Sequence, residues 1–368
     1  VCRALAERGH QVVCFTGSTA DPDFPDPEPD LNFEVCHVPP LNSRTLGKDL
    51  RSYLYNIRLN QALEERFKWQ PPDFVYERYA LYGSGTLKWA IRRSVPHMLE
   101  INTFLVKEQA HRLHFPRIAQ WHEHRIWRMA SSVIAVSYAL GESIQSLLHP
   151  DATMEVMPMA VDPDRFGRTL RESTENPFAE LEELRDKLVL VYAGALTAWH
   201  GVASFLDMAK VWKEEGLPVH LVLLGGDKKQ AAAYRKRIKN RELGEEISAL
   251  GSVPSEEIPR YLAWADAGII AHTSKFSSPT KLFEYMASGL PVIAPDQPSI
   301  RRVISDEEHG FLFPAEEPEA AARLIKHFLG EEGRARIKTM GAAGRSHVET
   351  HHTWDQVVQR IEQMHDTH

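Results

Sequence analysis

The stretch "AGIIAHTSKFSSPTKLFEYMASGLPVIAP", residues 267–295, reads in turn as strand, loop, helix and strand. Both apolar runs are short and bounded by breakers, the mark of strands buried on two faces. Between them Ser278 is a good N-cap, Pro279 suits the first helical position and Gly289 suits a helix end, which predicts a helix over Pro279–Ser288. Lys281 and Glu284 lie three apart and so share a face one turn into that helix. An open helix start after a strand offers N–H groups and a positive dipole to an anion, here in the region of Ser278, Thr280 and Lys281. A carboxylate one turn deeper can accept two hydrogen bonds from a vicinal diol, and a ribose carries one beside its phosphate. An ordinary solvated helix face also carries such a charge pair, so the rest of the chain has to decide.

The same alternation runs outward in both directions. "QVVCF", "FEVCHV", "DFVYE", "HMLEI", "SVIAVS" and "MEVMPM" precede residue 165, and "LVLVYAG", "VHLVLLG", "AGIIAH" and "LPVIAP" follow it. Strands separated by helices predict parallel sheets covered on both faces, and two such series predict two Rossmann-like domains. The break falls near "AVDPDRFGRTLRESTENPFAE", residues 160–180, whose Pro, Gly, Ser and charged residues are linker material with Val161 and Phe166 as anchors. We therefore expect domains at 1–165 and 166–350, with a closing amphipathic helix at about 351–368 joining the first. "VCRALAERGHQVVCFT" begins as the back half of a helix, and a helix before the first strand implies an earlier strand and loop outside this chain.

The 368 residues suit two domains rather than one core. A net charge of -7 with no tail of one sign gives no reason to expect nucleic acid as a partner. Without an apolar run long enough to span a bilayer, membrane contact would be peripheral. Cys2, Cys14 and Cys36 form neither a CxxC pair nor an even set, which favours a reducing cytoplasm, at most at the inner face of a membrane. His122 and His124 lie two apart, off the i, i+3 or i, i+4 spacing of helical ligands, and His111 and His114 lie three apart but bring no third ligand, so no metal is expected. "DPDFPDPEPD", residues 21–30, reads as a solvated loop; a calcium loop would want a central Gly and a terminal Glu.

At this point the sequence resembles the retaining glycosyltransferases of family 4, with their GT-B fold of two Rossmann-like domains facing across a cleft. "SPTKLFEYMASGLPVIAPD" is similar to the signature helix of that family, and "VSYALGESI", "MPMAVDPDRF", "VYAGALTAWHG", "LVLLGGD", "LGSVPSEEIPRYLAWADAGI" and the Trp354 tail occur in the family's order. The resemblance implies transfer of a sugar from a nucleoside-diphosphate donor, held mainly by the C-terminal domain, to a saccharide or glycoconjugate acceptor entering from the N-terminal domain. Glu284 matches the Glu that holds the ribose hydroxyls, Ser277, Ser278, Pro279 and Thr280 the loop on donor sugar and phosphates, and Val253 the backbone that receives the base. Gly194, Trp199 and Gly225 fall in strand-end loops lining the nucleotide side. "YERYALYGSG" and "PHMLEINTFLVKEQ" look like a subgroup acting on bacterial polysaccharides or glycoconjugates. Asn102 stands where many relatives have a His near the donor sugar, and Glu100, Glu108 and Arg78 are acceptor-cleft candidates.

Three positions depart from the family's pattern. Phe276 replaces a Glu that contacts the donor sugar, and Ala195 and His200 align with the usual Arg and Lys on the diphosphate. Charge on the departing diphosphate must still be stabilised, which falls to Lys281, the helix start and His200 or Lys275. The implied mechanism is front-face substitution with retention, needing neither metal nor cofactor. A nucleotide-sugar epimerase of the same fold would turn over donor without acceptor. A non-catalytic partner protein would bind nucleotide without hydrolysis or transfer.

Overall fold

The computed structural model describes residues 1–17, 32–41 and 47–366. The acidic, proline-rich stretch at 21–30, with its calcium-loop alternative, lies outside the described residues. The chain forms two compact units, Val1–Pro158 with Trp354–His368, and Met159–Thr353.

In the first unit β1 (Val13–Thr16) and β2 (Glu34–His37) form a parallel pair. β3 (Val75–Arg78), β4 (His97–Ile101), β5 (Ser132–Ala135) and β6 (Thr153–Val156) form a parallel sheet in chain order. Helix Trp354–Asp366 belongs here because its apolar stripe is buried in this unit: Val358 packs with Ala4 and Leu5, and Ile361 and Met364 with Met98, Ile134 and Met157. Arg8 adds charge-assisted hydrogen bonds to Asp355 and Glu362.

The second unit has one six-stranded parallel sheet of β7 (Leu188–Ala193), β8 (Val219–Leu224), β9 (Ile247–Gly251), β10 (Ala267–Ile269), β11 (Val292–Asp296) and β12 (Gly310–Pro314). The order is β12-β11-β10-β7-β8-β9. The chain therefore winds outward from β7 to β9, returns, and winds outward the other way from β10. The reversal between β7 and β10 leaves a crevice at their carboxyl ends, where open sheets of this kind take their ligands. β7 and β8 are buried along their whole length, which explains why they are apolar but for His220 and the Tyr192 hydroxyl.

Two sequence expectations shift in detail. The helix after β10 runs Thr280–Ala287 with Pro279 as its N-cap, because the Ser278 hydroxyl is committed elsewhere, accepting from the Met159 N–H at 2.9 Å. Residues 160–180, read as linker material, lie within the second unit from its start at Met159, with the anchors Val161 and Phe166 in its core. There Asp162 caps the turn Pro163–Arg165 by accepting from the Asp164 N–H at 3.1 Å, and Arg345 donates to the Phe166 and Ala287 carbonyls at 2.7 and 2.5 Å.

Candidate active site

The site is built on the loops that leave β7, β8 and β10. Backbone there runs too close for side chains: a Cβ on Gly225, whose φ is +120°, would stand 2.2 Å from the Gly194 carbonyl oxygen. Helix Thr280–Ala287 is seated as tightly, since a Cβ on Gly268 of β10 would meet the Tyr285 ring at 2.2 Å. The buried Tyr285 hydroxyl in turn accepts from the Ala193 N–H at 2.8 Å, locking the helix to the end of β7. Leu282, Phe283, Met286 and Ala287 fill the core, which leaves Lys281 and Glu284 on the remaining face.

Lys281 folds back toward β7. Its Nζ lies 4.4 Å from the Tyr192 ring centroid, donates to the Tyr192 hydroxyl at 3.2 Å, and would be 2.9 Å from a Cβ on Gly194. Burial pushes its pKa down to about 8, with the Glu284 carboxylate opposing the shift. Lys281 is thus a cation on an aromatic platform with no carboxylate within ion-pair distance among the described residues.

Glu284 shows the complementary state. Its carboxylate is half-buried, and burial raises its pKa against the pull of Lys281 and Arg165. No protein group among the described residues donates to it. A desolvated carboxylate without donors is costly by itself and becomes favourable when a ligand brings hydroxyls.

The loop before the helix uses its side chains internally. Ser277 Oγ donates to the Ser274 carbonyl at 2.9 Å and lies 2.6 Å from Thr273 Oγ1, while Ser278 is held by Met159. Thr280 is exposed, and the N–H groups of Thr280 and Lys281 at the helix start have no acceptor among the described residues. Backbone rather than hydroxyls is therefore what this loop offers an anion. Lys275 stacks over Phe276 at 4.8 Å, and Val253 packs against the core after β9.

His200 and Trp199 sit in the loop after β7, where the Trp199 carbonyl accepts from His272 Nδ1 at 2.9 Å. Burial, Lys281 and His272 lower the His200 pKa to about 4, so at neutral pH it is an uncharged imidazole and not the cation expected in place of the usual Lys. Trp199 is exposed beside it, the two rings 5.2 Å apart. Tyr192, Arg165 and His272 were missed in the sequence, since nothing in their spacing shows which side chains Lys281 and Glu284 approach.

In the first unit Asn102, Glu100 and Arg78 form one cluster. Asn102 donates to Glu100 at 2.8 Å and accepts from Arg78 at 3.1 Å, and the second Glu100 oxygen accepts from Tyr76. Glu100 is accordingly engaged on both oxygens, whereas Arg78 remains largely exposed. Glu108 accepts from Thr103 at 2.6 Å, closing the loop after β4. On helix Pro116–Met129 Trp127 is buried and Trp121 is exposed. Among the described residues no group of three His, Cys, Asp or Glu could hold a metal ion.

Residues 173–347 match the family described as glycosyl transferases group 1, and residues 1–160 the glycosyl transferase 4-like domain. The chain is 27% identical over 363 residues to the D-inositol 3-phosphate glycosyltransferase of Xylanimonas cellulosilytica, covering 94% of this chain and 85% of that one. It is 26% identical over 207 residues to the amylovoran biosynthesis glycosyltransferase AmsK of Erwinia amylovora, a match spanning 55% of this chain but only 47% of AmsK. Among solved structures it superposes on sucrose-phosphate synthase from Thermosynechococcus elongatus with a TM-score of 0.77 at 20% identity, covering 100% and 91% of the two chains. Anabaena HepE in complex with UDP gives 0.69 at 16% identity, covering 92% and 87%. At these identities the structural likeness establishes the fold, a two-domain α/β architecture of the GT-B type.

Proposed function

We propose that this chain, a GT-B-fold glycosyltransferase related to the group 1 and 4-like families, transfers a sugar from a nucleoside-diphosphate donor to a saccharide or glycoconjugate hydroxyl with retention of configuration. The observation that carries the reading is the unpaired Lys281 and the donor-free Glu284 on one helix face, beside open N–H groups, at the reversal of a parallel sheet. The ribose diol donates to Glu284, and the diphosphate meets Lys281 and the N–H groups of Thr280 and Lys281. The loop through Ser277, Ser278 and Pro279, with Gly194, Gly225 and Trp199, shapes the phosphate and sugar side, and the base lies against the Val253 backbone.

In the transfer step the bond from the sugar anomeric carbon to the diphosphate oxygen breaks. A bond to the acceptor oxygen forms on the same face, and the acceptor proton passes to the departing phosphate oxygen. No side chain has to take that proton. The protein's part is alignment together with fixed positive charge where negative charge develops. Lys281 supplies that charge, and the neutral His200 contributes a hydrogen bond rather than charge. In the first unit, Asn102 is the candidate for the donor sugar, Glu108 and Arg78 are the acceptor-side candidates, and Glu100 acts by holding Asn102 and Arg78. The place of work is the cytoplasm, in building a polysaccharide or glycoconjugate, a reading supported by the likeness to AmsK, which is named for amylovoran biosynthesis.

Incubation with UDP-, GDP-, ADP- and dTDP-sugars, with and without chelator, tests this reading. Donor hydrolysis or transfer that survives the chelator and gives a product of unchanged anomeric configuration supports it. Inverted product, or turnover of donor to an epimer without acceptor, overturns it.

A further inference from the structure

Helix Pro116–Met129 turns an unusual face outward. At about 100° per residue, its buried Ala119, Glu123, Ile126 and Trp127 cluster on one side, and Arg117, Arg128, Trp121, Arg125 and Ile118 fall within a sector of about 100° on the other. That sector holds three arginines, two large apolar side chains and no acid. Ile118 and Trp121 are 59% and 60% exposed, where a soluble helix would bury them or replace them with mixed charges. Arg125 lies 5.2 Å from the Trp121 ring centroid, and no carboxylate among the described residues pairs with Arg117, Arg125 or Arg128.

A second helix continues the surface. Leu50, Tyr53 and Ile57 of Lys48–Arg66 share one stripe at i, i+3 and i+7 and are exposed. The segment just before the arginine-bearing helix meets the start of this second helix, where the His114 N–H donates to Asp49 at 3.1 Å, and the Tyr53 and His122 rings stand 6.1 Å apart. Phe115, at the N-cap of the arginine-bearing helix, adds a further exposed ring.

We infer that this face, built on Ile118, Trp121, Arg117, Arg125 and Arg128 with Leu50, Tyr53 and Ile57 beside it, docks the first unit onto an anionic lipid surface. Apolar side chains interleaved with cations on one outward helix face suit a headgroup boundary, where the rings and aliphatic chains enter and the guanidiniums meet lipid phosphates. The charge complementarity is local, since the whole chain carries -7 and would otherwise be repelled by such a surface. Among the described residues no helix is long and apolar enough to cross a membrane, so the contact is one of lying on the surface.

The test is co-sedimentation of the full chain with phosphatidylcholine vesicles, with or without about one third phosphatidylglycerol, at low and high salt. The expected result is binding to the anionic vesicles alone, weakened by salt, with I118S/W121S lowering the bound-to-free ratio about tenfold. R117E/R125E should remove the preference for anionic lipid. Both variants should keep the wild-type melting temperature, because every substituted side chain is exposed. Wild-type protein that ignores anionic vesicles, or variants that bind as well as wild type, would overturn the inference. So would a concentration-dependent dimer that I118S/W121S converts to monomer, which would make a second copy the occupant.

Discussion

Lys281 Nζ donates to the Tyr192 hydroxyl at 3.2 Å while resting on the Tyr192 ring, so the end of β7 holds the cation that the helix after β10 supplies. Because burial has lowered its pKa to about 8, diphosphate binding depends on pH with a definite sign. A bound diphosphate favours the charged amine. Affinity should be flat from pH 7 to about 8 and then fall by up to tenfold per pH unit above it. Lys281→Gln should lower UDP or GDP affinity by about tenfold or more, leave nucleoside affinity nearly unchanged and abolish the alkaline fall. Titration calorimetry of diphosphate and nucleoside at pH 7, 8 and 9 reads all three effects.

Glu284 sets stability against binding. Its half-buried carboxylate has no donor among the described residues, so Glu284→Gln should leave the melting temperature unchanged or raise it. The same variant should weaken every ribonucleotide by about 10- to 100-fold, the value of hydrogen bonds to a charged acceptor. A 2′-deoxynucleotide should lose clearly less. Equal losses for both would detach Glu284 from the ribose.

Gly225 tolerates no Cβ, since one would sit 2.2 Å from the Gly194 oxygen at a φ of +120°. Gly225→Ala should destabilise the protein by about 1–3 kcal/mol and displace the loops after β7 and β8. Thermal unfolding should show the loss, and nucleotide binding should weaken with it. A variant as stable as wild type would contradict the close approach.

Glu123 is buried on helix Pro116–Met129, where it accepts from the Val106 N–H at 3.3 Å. Burial pushes its pKa up to about 7, with Glu108 adding to the shift and Tyr79 and the Val106 and Leu105 N–H groups opposing it. The folded chain thus keeps a proton that the unfolded chain releases near 4.5. This stabilising contribution is fully present below 4.5 and lost as pH rises through 7, a change of about 3 kcal/mol at most. Glu123→Gln should flatten that loss, measurable by urea unfolding at pH 5 and pH 8.

The alternation of short apolar runs with helices made the two α/β units legible, because strands of a covered parallel sheet must be apolar on both faces. Lys281 and Glu284 were legible as a pair because helical spacing alone puts residues three apart on one face. What those side chains meet was not. Tyr192 lies 89 residues from Lys281, and only the order of strands brings the two together. The neutral state of His200 was equally hidden, since it follows from burial beside Lys281 and His272. Trp121 and Trp127 look alike in sequence, yet the turn of one helix buries one and exposes the other.

The measurement that tests the central claim most directly is calorimetric titration of the wild type, Lys281→Gln and Glu284→Gln with UDP, GDP, ADP and dTDP. The account predicts that the wild type binds one of the four selectively, that Lys281→Gln weakens that binding by about tenfold or more, and that Glu284→Gln does the same where the selected nucleotide carries a ribose. Absence of binding by the wild type, or variants that bind as the wild type does, would contradict it.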